Sequence, residues 1–170
     1  MTTTDRTMPP LQADERASLE SWLDFYRATL AIKCDGLTEE QLRTASAPPS
    51  GLTLLGLIQH MAEVERNWFR RVLLGEPVPP IYGPAGDPAG PDGGFDLTDD
   101  STGDMARAAW EGEIARARVN CSARDLEETS PFMGGQVALR WIYNHMIAEY
   151  ARHAGHADLI RERIDGATGV

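Results

Sequence analysis

Apolar residues recur at three- and four-residue steps in four stretches of this chain, separated by polar segments rich in proline and glycine. In the first, Asp14 to Lys33, the positions Leu19, Trp22, Leu23, Phe25, Tyr26, Leu30 and Ile32 are interleaved with Glu15, Arg16, Glu20, Asp24 and Arg27. That is the period of an amphipathic helix. Asp14 suits its N-cap, and Asp35-Gly36 its stop. Thr38-Glu39-Glu40-Gln41 is a capping-box pattern that opens a short helix ending before Ala47-Pro48-Pro49. The second long stretch, LLGLIQHMAEVERNWFRRVLLG from Leu54 to Gly75, follows Thr53 as its cap. It is apolar over much of its circumference (Leu54, Leu57, Ile58, Met61, Val64, Trp68, Phe69, Val72), which suits a helix with several neighbours. Ser101 to Asp104 open a third helix that runs to about Cys121, with Met105, Ala109, Trp110, Ile114 and Ala117 facing inward. The fourth spans Val137 to Asp165 and stops at Asp165-Gly166. No segment reads as a strand, and there is no internal repeat.

The connections refine this picture. Residues 1–10 read as a frayed tail, and residues 11–170 as one domain. The run EPVPPIYGPAGDPAGPDGGFDLTDDS has a composition that opposes regular structure. A loop of that length is either functional or a long crossover. A crossover would let helices two and three run parallel, as in some bundles. Residues 122–135 read as a connector broken by Pro131, Gly134 and Gly135, with Phe132 placed to plug the end of a bundle. The expectation is an all-α fold, a four-helix bundle with a long crossover between helices two and three.

Composition narrows the function. The 170 residues are one domain in length, and the net charge of −10 argues against a nucleic-acid backbone or an anionic membrane as partner. The start, MTTTDRTMPP, has no apolar segment of a secretory signal, and no apolar run approaches the ~20 residues of a membrane span. Cys34 and Cys121 form neither a CxxC nor a zinc-ribbon spacing, so two reduced thiols in a cytoplasmic protein are expected. Lys33 is the only lysine among many arginines, which suggests a GC-rich bacterial genome.

The fourth stretch carries the chemistry. On a helical wheel at about 100° per residue, Ala138, Ile142, His145, Glu149, Arg152, His153, His156 and Ile160 share one side. Arg140, Ala151, Asp158 and Glu162 lie opposite. The expected core stripe therefore contains three of the chain's four histidines and a glutamate. Burying a carboxylate beside imidazoles is costly unless something compensates. A divalent cation would, since neutral His and ionised Glu both ligate it. Glu149 and His153 are one turn apart, a chelate spacing that also occurs on solvated helices. The fourth histidine, His60, lies mid-helix in the second stretch, on a face with Leu57, Val64, Asn67, Trp68 and Arg71. The three residues His60, Glu149 and His153 are the expected metal ligands, leaving a coordination position open for water or a thiol. Zinc suits this donor set, with nickel, iron and manganese as alternatives.

His145 and His156 are expected beside the ligands, with a fourth-ligand role for His156 as the alternative. Arg152 either binds an anionic substrate group or pairs with a neighbouring helix. Arg66, Arg70 and Arg71 read as a solvated face complementing a helix C-terminus. Trp68, Trp110 and Trp141 read as core.

At LLGLIQHMAEVERNWFRRVLLG and HMIAEYARHAGHADLIRERIDG the chain resembles the DinB-like superfamily of metal-binding four-helix proteins. Many members of that superfamily have histidine at both fourth-helix ligand positions. The Glu149–His153 variant is similar to the metal site of mycothiol-dependent maleylpyruvate isomerases and the related actinobacterial thiol S-transferases. The resemblance implies His60, Glu149 and His153 as ligands and mycothiol as co-substrate. The expected activity is a metal-dependent transfer of that thiol to an electrophilic small molecule. Tyr143, His145, Arg152 and His156 are the candidates for orientation or proton transfer. Competing readings are a metal-dependent hydrolase, a non-catalytic metal or small-ligand binding protein forming a homodimer through a helix face, and a plain structural bundle.

Overall fold

A computed structural model of the chain describes residues 6–83 and 93–169. It is mostly helical: α1 (Glu15–Cys34), α2 (Glu39–Leu42), α3 (Leu54–Arg66) continuing into a π-helical segment (Asn67–Val72), α4 (Gly103–Ser122) and α5 (Leu139–Asp165). A small antiparallel hairpin, β1 (Thr129–Phe132) and β2 (Gly135–Ala138), precedes α5. The described residues divide into two compact units. One contains α1, α2 and α5 from Tyr143 onward; the other runs from Leu55 to Ile142. No described helix is long and apolar enough to cross a membrane.

In the first unit, local chemistry fixes the helix ends. The Asp14 carboxylate accepts from Ala17 N at 2.8 Å, satisfying one of the free amides at the start of α1. Thr38 and Gln41 form the expected capping box of α2. The chain leaves α1 and α5 through Gly36 (φ +70) and Gly166 (φ +79), a left-handed backbone that favours glycine. Polar bonds fasten α5 to α1. Arg161 donates to Lys33 O (3.1 Å) and Asp35 O (2.9 Å), covering carbonyls that the end of α1 leaves unpaired. Lys33, buried, pairs with Asp158 at 2.9 Å, and Ser46 Oγ donates to Ile160 O at 2.8 Å.

The second unit departs from the sequence expectations in four places. The second long helix is not α-helical throughout, because its last turns widen into the π segment. Asn120 Nδ2 from α4 donates to Phe69 O (3.0 Å), and Ser130 Oγ from β1 donates to Leu73 O (2.7 Å), so partners outside the helix satisfy carbonyls there. Arg66, Arg70 and Arg71 are not a solvated face. Buried Glu113 accepts from Arg66 (2.6 Å) and Arg70 (3.2 Å), and buried Glu63 accepts from Arg71 (3.0 Å). Each carboxylate can be buried because guanidinium groups compensate its lost hydration. Met105 faces outward rather than in, and Ala106, Trp110, Glu113, Ile114 and Ala117 form the buried face of α4.

The fourth difference is the hairpin, where only a connector is expected from the sequence. Met133 (φ 48) and Gly134 (φ +79) make a two-residue turn with both residues left-handed, the geometry that suits the twist of paired strands. α5 therefore begins at Leu139, not Val137. Phe132 packs on Trp68 at 5.2 Å between ring centroids, and Trp141 packs on the same indole at 5.4 Å while remaining 48% exposed. Trp68 and Trp110 are buried, so the core expectation holds for two of those three tryptophans. Residues 84–92 of the expected long loop lie outside the described residues; its described flanks, 76–83 and 93–102, contain no helix or strand.

Candidate metal centre

The buried stripe of α5 is Leu139, Ile142, Tyr143, Met146, Tyr150, His153, Ala154, Ala157 and Ile160. It is rotated from the stripe expected around His145. His145, Glu149 and His156 are half-buried at its edge, Arg152 is exposed, and His153 is the one titratable residue of the group that sits fully inside. Charged groups at an edge retain part of their hydration, which lowers the cost of gathering them on one face.

Within α5, Glu149 is a hub. His153 Nε2 lies 3.5 Å from its Oε2, His145 Nε2 lies 3.8 Å from its Oε1, and Arg152 donates to Oε2. Arg152 Nη2 also lies 3.4 Å from His153 Nε2. The remaining ring nitrogen of His153, Nδ1, lies 3.3 Å from His156 Nδ1. His145 has its pKa lowered, first by burial and then by the Arg152 charge, against the opposing pull of Glu149. Its ring is held toward the neutral form, able to accept a proton. Tyr143 is buried and donates its hydroxyl to Glu20 on α1 at 3.1 Å.

His60 is held differently. Its Nδ1 lies 2.7 Å from Gly93 O, and Phe95 stacks on the ring at 4.0 Å between centroids. A carbonyl only accepts, so Nδ1 carries the proton and the lone pair is on Nε2. Metal-ligating histidines commonly donate their other N–H to a backbone carbonyl in this way. A Cβ on Gly93 would sit 3.1 Å from His60 Nδ1 and one on Gly94 3.2 Å from the Gln59 backbone, and both backbones are left-handed (φ +50 and +92), so glycine suits each position. Gly93, Gly94 and Phe95 are site residues that the sequence reading passed over. The available signal was a glycine pair followed by an aromatic residue inside an otherwise polar loop. Gly93 and Gly94 also line a cavity of about 560 Å³ in the second unit, with Gln59, Tyr82, Asp96 and Met105 in its wall. That volume suits a small molecule.

Among the described residues, His60 in one unit and Glu149 and His153 in the other each offer one atom that could ligate a metal ion. Two neutral imidazoles and a carboxylate are the donor chemistry of an open divalent-metal site, so the residues present fit such an ion. His156 is not in this group; its ring meets the far nitrogen of His153. The family model for mycothiol-S-transferase matches residues 18–166. The chain belongs to the mycothiol-S-transferase family. The match spans α1 to the last turn of α5 and so includes His60, Glu149 and His153. No curated protein matches the chain. Family membership agrees with the resemblance seen at the second and fourth stretches and supports transferase chemistry with a small-molecule thiol.

Proposed function

We propose that this mycothiol-S-transferase family member is a cytoplasmic metal-dependent enzyme that joins mycothiol to an electrophilic small molecule on a four-helix bundle. His60, Glu149 and His153 would hold the metal, with zinc the first choice for a His, His, Glu donor set. Bound there, a divalent ion supplies Lewis acidity that favours thiolate over thiol near neutral pH. The remaining roles fall to side chains of the chain. A new C–S bond forms as the bond from carbon to its leaving group breaks, and the thiol proton must be removed. His145 Nε2, held toward the neutral form beside Glu149, is the acceptor. Arg152, exposed at the same edge, orients an anionic group of a substrate. The cavity beside His60 takes the electrophile, and Asp96 and Asp100 in its wall disfavour an anionic one.

The observation that carries this reading is the match to the mycothiol-S-transferase family over a segment that contains the His, Glu, His donor set of His60, Glu149 and His153. Elemental analysis of purified protein, followed by turnover of a haloalkyl electrophile with and without mycothiol, tests it. We expect about one equivalent of metal and turnover only with the thiol. Turnover without thiol would identify a hydrolase instead, and a metal-free, inactive protein would overturn the reading.

A further inference from the structure

His153 is buried, and its two ring nitrogens have unlike neighbours. Nε2 lies 3.4 Å from the Arg152 guanidinium, which has donors and no acceptor. The Glu149 carboxylate, an acceptor, lies 3.5 Å from the same nitrogen; as a metal ligand beside Glu149, Nε2 offers its lone pair, and the proton of the neutral ring is then on Nδ1. That N–H faces His156 Nδ1 at 3.3 Å, with the two rings edge to face at 68°. His156 can accept only through an unprotonated Nδ1, which puts its own proton on Nε2. The residues are three apart on α5, so one helix turn sets the pairing.

We propose that His156 is the positioning residue of the centre: it holds His153 in the tautomer that presents the Nε2 lone pair toward Glu149. A histidine in water favours the opposite tautomer, with the proton on Nε2. Without an acceptor at 156, the His153 ring has to shift its proton and fix its orientation before it can ligate. His156 thus does for His153 what Gly93 O does for His60: each takes the N–H on Nδ1 and leaves Nε2 as the donor. This assignment removes His156 from the ligand set, because its Nδ1 is already committed to the far side of His153. It rests on the reading of His153 as a ligand.

The test uses full-length protein labelled with ¹⁵N-histidine and freed of metal by chelation. Two-bond ¹H–¹⁵N correlation spectra report which nitrogen of each ring is protonated. Wild type is expected to show His153 protonated at Nδ1 and His156 at Nε2. In His156→Ala, His153 should revert to the proton on Nε2, and zinc affinity, measured by chelator competition, should fall about 10–100-fold. His156→Asn, whose side-chain oxygen replaces the acceptor, should recover most of that affinity. Wild-type His153 protonated on Nε2, or unchanged zinc affinity in His156→Ala, would overturn the proposal. If the alanine variant fails to fold, the wild-type spectrum and the asparagine variant decide. A wild type that shows the expected tautomers yet binds no zinc would overturn the metal reading and leave the histidine pairing in place.

Discussion

His60 and His153 are both imidazoles that offer a ligand atom, yet the chain holds them by opposite means. His153 depends on residues of its own helix, with Glu149, Arg152 and His156 all within four positions. His60 depends on Gly93 and Phe95, more than thirty residues away along the chain and outside any helix. The first arrangement forms whenever α5 forms, because i,i+3 and i,i+4 neighbours meet on any helix. The second exists only after a loop has closed, with Gly93 against the His60 ring and Gly94 against the backbone of α3. Closing such a loop costs conformational entropy that the helix does not spend again. One half of the candidate centre is therefore local and robust, and the other is conditional on tertiary structure.

Substitutions can break or sharpen this contrast. The largest effect is expected for His153→Ala, which removes the buried ligand candidate and should reduce stoichiometric metal to none by elemental analysis; full retention would end the ligand assignment. Next is Glu113→Ala, which leaves Arg66 and Arg70 without their shared buried carboxylate. Breaking a buried pair of this kind costs about 3 kcal/mol, readable as a lower urea midpoint. It should disturb the His60 half, while the His153–His156 spectrum stays unchanged in the folded protein.

A smaller loss is expected for Gly94→Ala, at about 2 kcal/mol, from a left-handed backbone (φ +92) and a Cβ crowded against Gln59. Gly36→Ala is its control. Position 36 has φ +70 and nothing within 4 Å of the new Cβ, so only the backbone strain of about 1 kcal/mol remains. Gly94→Ala should also weaken metal binding and Gly36→Ala should not; equal effects would show that the loop does not set His60.

The smallest effect concerns Tyr82. Burial, reinforced by Glu63 and opposed by Arg66, raises its pKa above the ordinary 10.0. The unfolded chain then loses this proton before the folded one does. The contribution to stability is complete below pH 10.0 and is lost as pH rises toward the folded value. Tyrosinate absorbance should show one late-titrating phenol, removed in Tyr82→Phe.

The same division explains what could be read from the sequence. The helix ends at Asp14, Asp35-Gly36, Thr38 and Asp165-Gly166 stand as expected, because each depends on contacts within a few residues. The clustering of Glu149 with His145 and His153 on α5 was legible because i,i+4 neighbours meet on any helix, and a carboxylate among histidines is out of place on an inward stripe. The hairpin was not, since Pro131 and the glycines mask its pattern and Met133 is an unusual residue for a left-handed turn. Glu63 and Glu113 gave no sign of burial, because their arginine partners lie up to 47 positions away. The centre of the buried stripe on α5 was misplaced by about one position, since the packed residues Met146 and Tyr150 count for more than the histidines.

The π segment at Asn67–Val72 has a consequence for comparing this chain with its relatives. Bonds that reach back five positions close a ring with one residue more than the α-helical ring. In evolutionary terms such a bulge is a single-codon insertion absorbed by the helix without a loop. A relative with an unbroken α-helix here should align with a one-residue gap between positions 67 and 72, and His60 on one side and the hairpin on the other should stay in register.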